Sequence, residues 1–182
     1  MKMVIYLVGI LVISMLFITG CENENNKQLT LSGMLIRNSD CKSSGKSSME
    51  TVNTPDTLSC IDYSFDDFNN RLTINHINSA FNCCPESLYC KVTLSNDTII
   101  ISEHEAKAQC NCNCLFDLDL IINGVDTKEY QIKFIEPYSG EQKKICFKID
   151  LIKEKNGSFC VTRKSYPWGM HYTARNVTSE TN

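Results

Sequence analysis

The chain has 182 residues, 21 acidic and 18 basic side chains, a net charge of −3, and 11 cysteines. That length suits one domain behind a processed leader. The acidic balance, with no long basic run, argues against a nucleic-acid partner, which requires a basic face.

Residues 1–20 read as a secretory signal. Lys2 forms a short basic start, and an apolar run follows from Val4 to Ile18. This run is shorter than the ~20 apolar residues of a comfortable membrane span and fits the apolar core of a signal peptide. It ends in Ile18-Thr19-Gly20-Cys21, which resembles the lipobox of bacterial lipoproteins. The resemblance implies cleavage before Cys21, diacylglycerol on its thiol and acylation of the new amine. Two to three acyl chains suffice for stable anchoring in a bilayer, where one is marginal. Cleavage removes one lysine and no acid, taking the net charge from −3 to −4.

Residues 21–56 are expected to be the lipidated cysteine and a mostly flexible tether. Cys41-Lys42-Ser43-Ser44-Gly45-Lys46-Ser47-Ser48 is close to low complexity and cannot bury enough apolar surface to offset its ordering entropy. Leu29, Leu31 and Leu35 allow a short strand over 28–36. From residue 57 to 172 the period becomes two. Ile61, Tyr63 and Phe65 alternate, as do Leu72, Ile74 and His76, and then Ile99, Ile101 and Glu103. The longest row runs Cys110, Cys112, Cys114, Phe116, Leu118, Leu120, Ile122, before a turn at Asn123-Gly124. Tyr130, Ile132 and Phe134 follow. A last pair carries Ile145, Phe147, Ile149 and Leu151, then a turn near Asn156-Gly157, then Phe159 and Val161. Residues 173–182 read as a polar tail. No helical period is evident. The expected fold is all-β: a single antiparallel β-sandwich, immunoglobulin-like or a similar Greek key, with a small barrel as the alternative.

Ten cysteines remain besides Cys21, and disulfides persist in exported proteins. On a regular strand Cys110, Cys112 and Cys114 all point inward, about 6.6 Å apart. Parallel side chains do not converge as a disulfide requires, so partners must come from facing elements. The obvious facing segment is Asn82-Cys83-Cys84-Pro85, in which alternation sends one cysteine inward and the other outward. A hairpin turn at Asn156-Gly157 sets Cys160 opposite Ile152 and about 20 Å from Cys146. Cys41, Cys60 and Cys90 are then better partners for Cys146 and Cys160.

Taken together, Ile74-Asn75-His76 with Asn78, Phe81-Asn82-Cys83-Cys84-Pro85, Ile99-Ile100-Ile101-Ser102-Glu103 and Cys110-Asn111-Cys112-Asn113-Cys114-Leu115-Phe116-Asp117 resemble a family of uncharacterised lipoproteins from Bacteroides and relatives. Tyr166-Pro167-Trp168-Gly169 fits the same pattern. The resemblance covers roughly residues 58–170. It implies an origin and a compartment, the cell envelope and its outer membrane, and no activity. It also implies O-glycosylation at Thr57 and Thr98, in Asp56-Thr57-Leu58 and Asp97-Thr98-Ile99.

Two readings of the polar row-ends stand. In one, His76, Glu103 and cysteines 83, 84, 110, 112 and 114 form a zinc site, since imidazole, carboxylate and thiolate all bind zinc. In the other, which is preferred, His76 and Glu103 are hydrogen-bonded at the rim of the core, the cysteines are bridged, and no cofactor is needed. Cys-x-x-Cys and Gly-x-Ser-x-Gly are both absent, which argues against thiol-redox and hydrolytic chemistry. Tyr166 and Trp168 are candidates for contact with a protein or glycan partner. The expected function is a membrane-anchored envelope module for binding or structural support, with zinc binding as the alternative.

Overall fold

A computed structural model describes residues 30–42 and 54–164. Nine strands follow in chain order: β1 (Ser32–Asn38), β2 (Leu58–Asp66), β3 (Arg71–Asn82), β4 (Pro85–Ser95), β5 (Thr98–Ala108), β6 (Asn113–Asn123), β7 (Glu129–Ile135), β8 (Cys146–Asp150) and β9 (Asn156–Thr162). They form a five-stranded sheet, β1-β6-β3-β2-β9, and a four-stranded sheet, β4-β5-β7-β8. The sheets pack face to face as a sandwich, and no barrel closes. Every pairing is antiparallel except β5 with β7.

Alternation explains the layers. Ile61 and Phe65 of β2, Leu72 and Ile74 of β3, and Leu118, Leu120 and Ile122 of β6 are buried from one side. Ile99 and Ile101 of β5, Tyr130, Ile132 and Phe134 of β7, and Ile149 of β8 meet them from the other. Turns are made by residues that tolerate positive φ. Asn96 (φ 52°) turns β4 into β5, and Gly124 (φ 78°) ends β6 where the sequence places a turn. A Cβ at Gly124 would lie 2.8 Å from the Thr30 carbonyl oxygen.

Three expectations are corrected. The domain begins before residue 57: β1 lies in the stretch expected to be mostly tether. Leu31 and Leu35 of that stretch reach the core, β1 pairs with β6, and Cys41 is bridged to Cys114. A few apolar side chains at the right period, plus a covalent link, outweigh the polar composition around them. Second, the row from Cys110 is not regular strand. β6 starts at Asn113, so of the three cysteines only Cys114 is buried, with Leu115 and Phe116 buried beside it. Third, β8 and β9 form no hairpin. Leu151–Lys153 turn the chain, and β9 crosses to the other sheet to pair with β2. Phe147 of β8 and Phe159 of β9 then stack across the layers, with ring centroids 4.6 Å apart.

At the opposite edge β1 leans on β4. Gly33 is needed there, because a Cβ would fall 2.2 Å from Val92 Cγ2 and 2.7 Å from its Cβ. Gly33→Ala is therefore expected to destabilise the domain by about 1–3 kcal/mol through overpacking. Urea denaturation measures this, and Val92→Ala in the same chain, which removes the Cγ2 contact but keeps the Cβ one at 2.7 Å, should recover only part of the loss.

Candidate functional site

Five strands share one departure from the apolar pattern, all at the same end of the sandwich. Each inward row ends on a polar residue: Ile61 is preceded by Ser59, Ile74 followed by His76, Ile101 by Glu103, Phe134 by Glu136, and Val161 by Arg163. All five polar residues are buried, with exposures between 0% and 9%. A β-bulge adds a sixth member. The β3–β6 register shifts between His76 and Ser79, and Asn78 takes φ 62°. The extra residue lets His76 and Ser79 both aim at Glu103, as bulges commonly re-aim side chains. Asn78 is fixed by the Pro55 and Leu58 carbonyls, 3.0 and 2.8 Å from its Nδ2.

The polar residues form a chain across the interlayer. Ser79 Oγ donates to Glu103 Oε2 (2.8 Å), and Glu103 Oε1 lies 2.6 Å from His76 Nδ1. His76 Nε2 is 2.9 Å from Ser59 Oγ. Arg163 Nη2 donates to Ser59 Oγ (3.1 Å) and to Glu136 Oε1 (2.5 Å), while its Nη1 donates to the Lys143 carbonyl (3.0 Å). His76 also meets Phe134 edge-on at 5.1 Å.

Charge decides what this chain does. Burial alone would lower the His76 pKa, but the Glu103 charge and hydrogen bond, with help from Glu136, raise it above the ordinary imidazole value. Burial raises the Glu136 pKa, and Glu103 adds to that; His76 and Arg163 oppose it. With His76 protonated, two cations face two carboxylates and the buried group is neutral. Buried charges are tolerated only when paired and hydrogen-bonded in this way.

Ser59, His76 and Glu103 lie in the order nucleophile, base, orienting acid. When His76 is protonated it donates to Ser59 instead of taking its proton, and Arg163 donates to the same oxygen. Ser59 and His76 are fully buried, and the Ser59 hydroxyl lies within hydrogen-bond reach of both His76 Nε2 and Arg163 Nη2. The arrangement fastens the two sheets together.

His76 and Glu103 meet as expected, within the core rather than at its rim. Among the described residues, neither belongs to the group whose ligand atoms cluster closely enough for a metal ion. Both imidazole nitrogens are engaged by Ser59 and Glu103. The metal-capable group of three with ligand atoms within 4.8 Å of one another consists of Cys83, Cys110 and Cys112. Cys114 is bridged to Cys41, and Cys60 to Cys160. Cys83 pairs with Cys112 and Cys84 with Cys110, so the facing segment is the one expected. The two vicinal cysteines do not split between faces, because the chain bends there and both are half-buried.

Among the described residues Cys90 and Cys146 are free. Burial first, and the Glu103 charge second, push the Cys90 thiol up to about 11. Cys146 is exposed and accepts from Gln131 Nε2 at 2.9 Å. Thr57 is exposed, and Thr98 is half-buried at the start of β5. Cys21, Tyr166 and Trp168 lie outside the described residues. Sequence reasoning missed Ser59, Ser79, Glu136 and Arg163. Three of these end apolar rows just as His76 and Glu103 do, so the signal was present.

No protein-family profile, curated protein or solved structure matches this chain.

The raised His76 pKa sets a pH dependence. The folded state holds this proton to higher pH than the unfolded imidazole, whose pKa is near 6.5. Its contribution is complete below that value and is lost as pH rises through the folded pKa. Glu136, raised from 4.5, acts with the same sign at lower pH. The urea midpoint should therefore fall as pH rises above about 6.5. His76→Gln should be less stable at pH 6 and lack that fall.

Proposed function

We propose that this chain is an envelope lipoprotein of the bacterial outer membrane, held to the bilayer through acylated Cys21, whose rigid β-sandwich serves as a binding or structural accessory module. One observation carries the reading: Ser59, His76, Ser79, Glu103, Glu136 and Arg163 bond to one another inside the sandwich and four cystines brace it, so recognition is assigned to the outer surface. Four disulfides among the described residues favour an oxidising compartment outside the cytoplasm. The surface near β7 and β8 carries open depressions that share Glu129 and Lys148 and are flanked by Tyr63 or Tyr130. Such mixed polar and aromatic ground suits contact with a protein or glycan. The Bacteroides-type resemblance supports the same compartment, and with it the proposed glycosylation of Thr57 and Thr98.

The anchor is tested by metabolic labelling with a palmitate analogue in the native host. Label should enter the wild type and be absent from Cys21→Ala, which should leave the membrane fraction. Label retained by Cys21→Ala would overturn the anchor. The role proposed for Tyr166 and Trp168 has its own readout, since Trp168 is the sole tryptophan. Its fluorescence should shift on titration with isolated envelope polysaccharide; an unchanged spectrum at saturating polysaccharide would remove the glycan contact.

A further inference from the structure

Two cystines sit side by side where the β3–β4 and β5–β6 connections meet. As staples they are redundant. Once Cys83–Cys112 is closed, Cys84–Cys110 closes only the small ring of Cys83, Cys84, Cys110, Asn111 and Cys112. A cross-link acts mainly on the loop entropy of the unfolded chain, and the first bridge has already removed most of it. Four sulfurs are nevertheless gathered at one point. Those of Cys83, Cys110 and Cys112 lie within 4.8 Å of one another, and Cys84 is bonded to Cys110.

The backbone beneath them is held without the sulfurs. Asn82 Nδ2 donates to the carbonyls of Cys110 (2.6 Å) and Cys112 (3.0 Å). Its Oδ1 accepts from the amides of Cys84 (3.0 Å) and Cys110 (3.3 Å). The Cys83 amide donates to the Cys112 carbonyl (3.0 Å), and the Gln109 amide to that of Cys84 (3.2 Å). Glu105 anchors the assembly, accepting from the Asn82 amide (2.7 Å) and from the Tyr138 hydroxyl. None of these bonds uses a sulfur atom. Cys112 is exposed and the other three are half-buried, so a reductant and an ion reach them from solvent.

The geometry points to a redox-gated metal site: the two cystines are the oxidised form of a four-thiolate cluster, Cys83, Cys84, Cys110 and Cys112, that takes one soft or borderline divalent cation such as zinc. Zinc–sulfur bonds of about 2.3 Å in a tetrahedron put sulfurs about 3.8 Å apart, so after reduction each formerly bonded pair needs to part by roughly 2 Å, while the sulfurs of Cys83, Cys110 and Cys112 start within 4.8 Å of one another. Each cystine accepts two electrons and two protons from one dithiol, which leaves as its own disulfide. The four thiols then release four protons as one zinc ion binds. His76, Glu103 and Cys114 take no part.

The test uses the unlipidated mature chain, residues 22–182, purified oxidised and then reduced with a phosphine. Zinc uptake is read by competition with a chromophoric chelator. The ligands are mapped by alkylation with and without zinc, followed by peptide mass. The oxidised chain should bind no zinc at the cluster. The reduced chain should bind one ion, with Cys83, Cys84, Cys110 and Cys112 protected. The double variant Cys84→Ser/Cys110→Ser keeps Cys83–Cys112 for folding and should lose affinity on the order of 100-fold or more. Cys60→Ala/Cys160→Ala should bind as the wild type does. If reduction unfolds the domain, zinc should restore its circular dichroism in the wild type and not in Cys84→Ser/Cys110→Ser. The proposal is overturned if the reduced chain takes no zinc, if that variant binds equally well, if other thiols are the protected ones, or if zinc fails to restore a reduced, unfolded domain.

Discussion

The contact between His76 and Glu103 is the constraint around which the rest of this sandwich is arranged. It joins β3 of one sheet to β5 of the other through two side chains with no measurable exposure. Neither charge is tolerable there alone. The bulge at Asn78 brings Ser79 to the second Glu103 oxygen, and Ser59 satisfies the second imidazole nitrogen. Arg163 and Glu136 then extend the chain as a second pair of the same sense, the cation beside β9 of the five-stranded sheet and the carboxylate beside β7 of the four-stranded one. Replacing such a group by well-packed apolar residues is often neutral, whereas removing one member strands a buried charge at a cost of roughly 3–5 kcal/mol. The polar end thus discriminates among arrangements of the sheets more than it adds net stability. A slip of β3 by one residue would turn His76 outward and leave Glu103 unpaired.

Covalent links reinforce the sandwich, two of them through buried sulfurs at Cys60 and Cys114. Cys41–Cys114 and Cys60–Cys160 span 73 and 100 residues, and Cys83–Cys112 and Cys84–Cys110 span 29 and 26. Longer loops lose more entropy in the unfolded chain, though only logarithmically: about 1 kcal/mol separates the extremes. Cys41–Cys114 makes a domain element of a segment too polar to be held by burial alone. Cys60–Cys160 locks the outermost strand β9 to β2, where their backbones also pair.

The sandwich was legible because alternation is a local property. Ile61, Tyr63 and Phe65, or Tyr130, Ile132 and Phe134, declare a half-buried strand without reference to anything distant. Turn chemistry at Asn123-Gly124 was equally local. Which strands pair is not. Asn156-Gly157 suggested a hairpin, yet β9 crosses to β2 at the edge of the other sheet, where Cys160 is bridged to Cys60 and Val161 is buried. The buried polar chain was half legible. His76 and Glu103 stood out as charged residues on apolar rows, while Ser59 passed as an ordinary strand serine, and Glu136 and Arg163 sit just past strand ends where charge is expected. Their common level in the sandwich depends on register, which one sequence does not encode visibly.

The pairing of β2 with β9 also governs when the fold can form. β2 is made early and must wait for a partner about a hundred positions further on. Until then Cys60 shares the growing chain with Cys41, Cys83, Cys84 and Cys90, each able to capture it in a wrong bridge. Sheets built on such distant contacts assemble slowly and expose unpaired edges meanwhile, and reshuffling of misplaced bridges takes seconds to hours. Oxidative maturation of this chain has to avoid or undo such bridges from Cys60 before its native partner arrives.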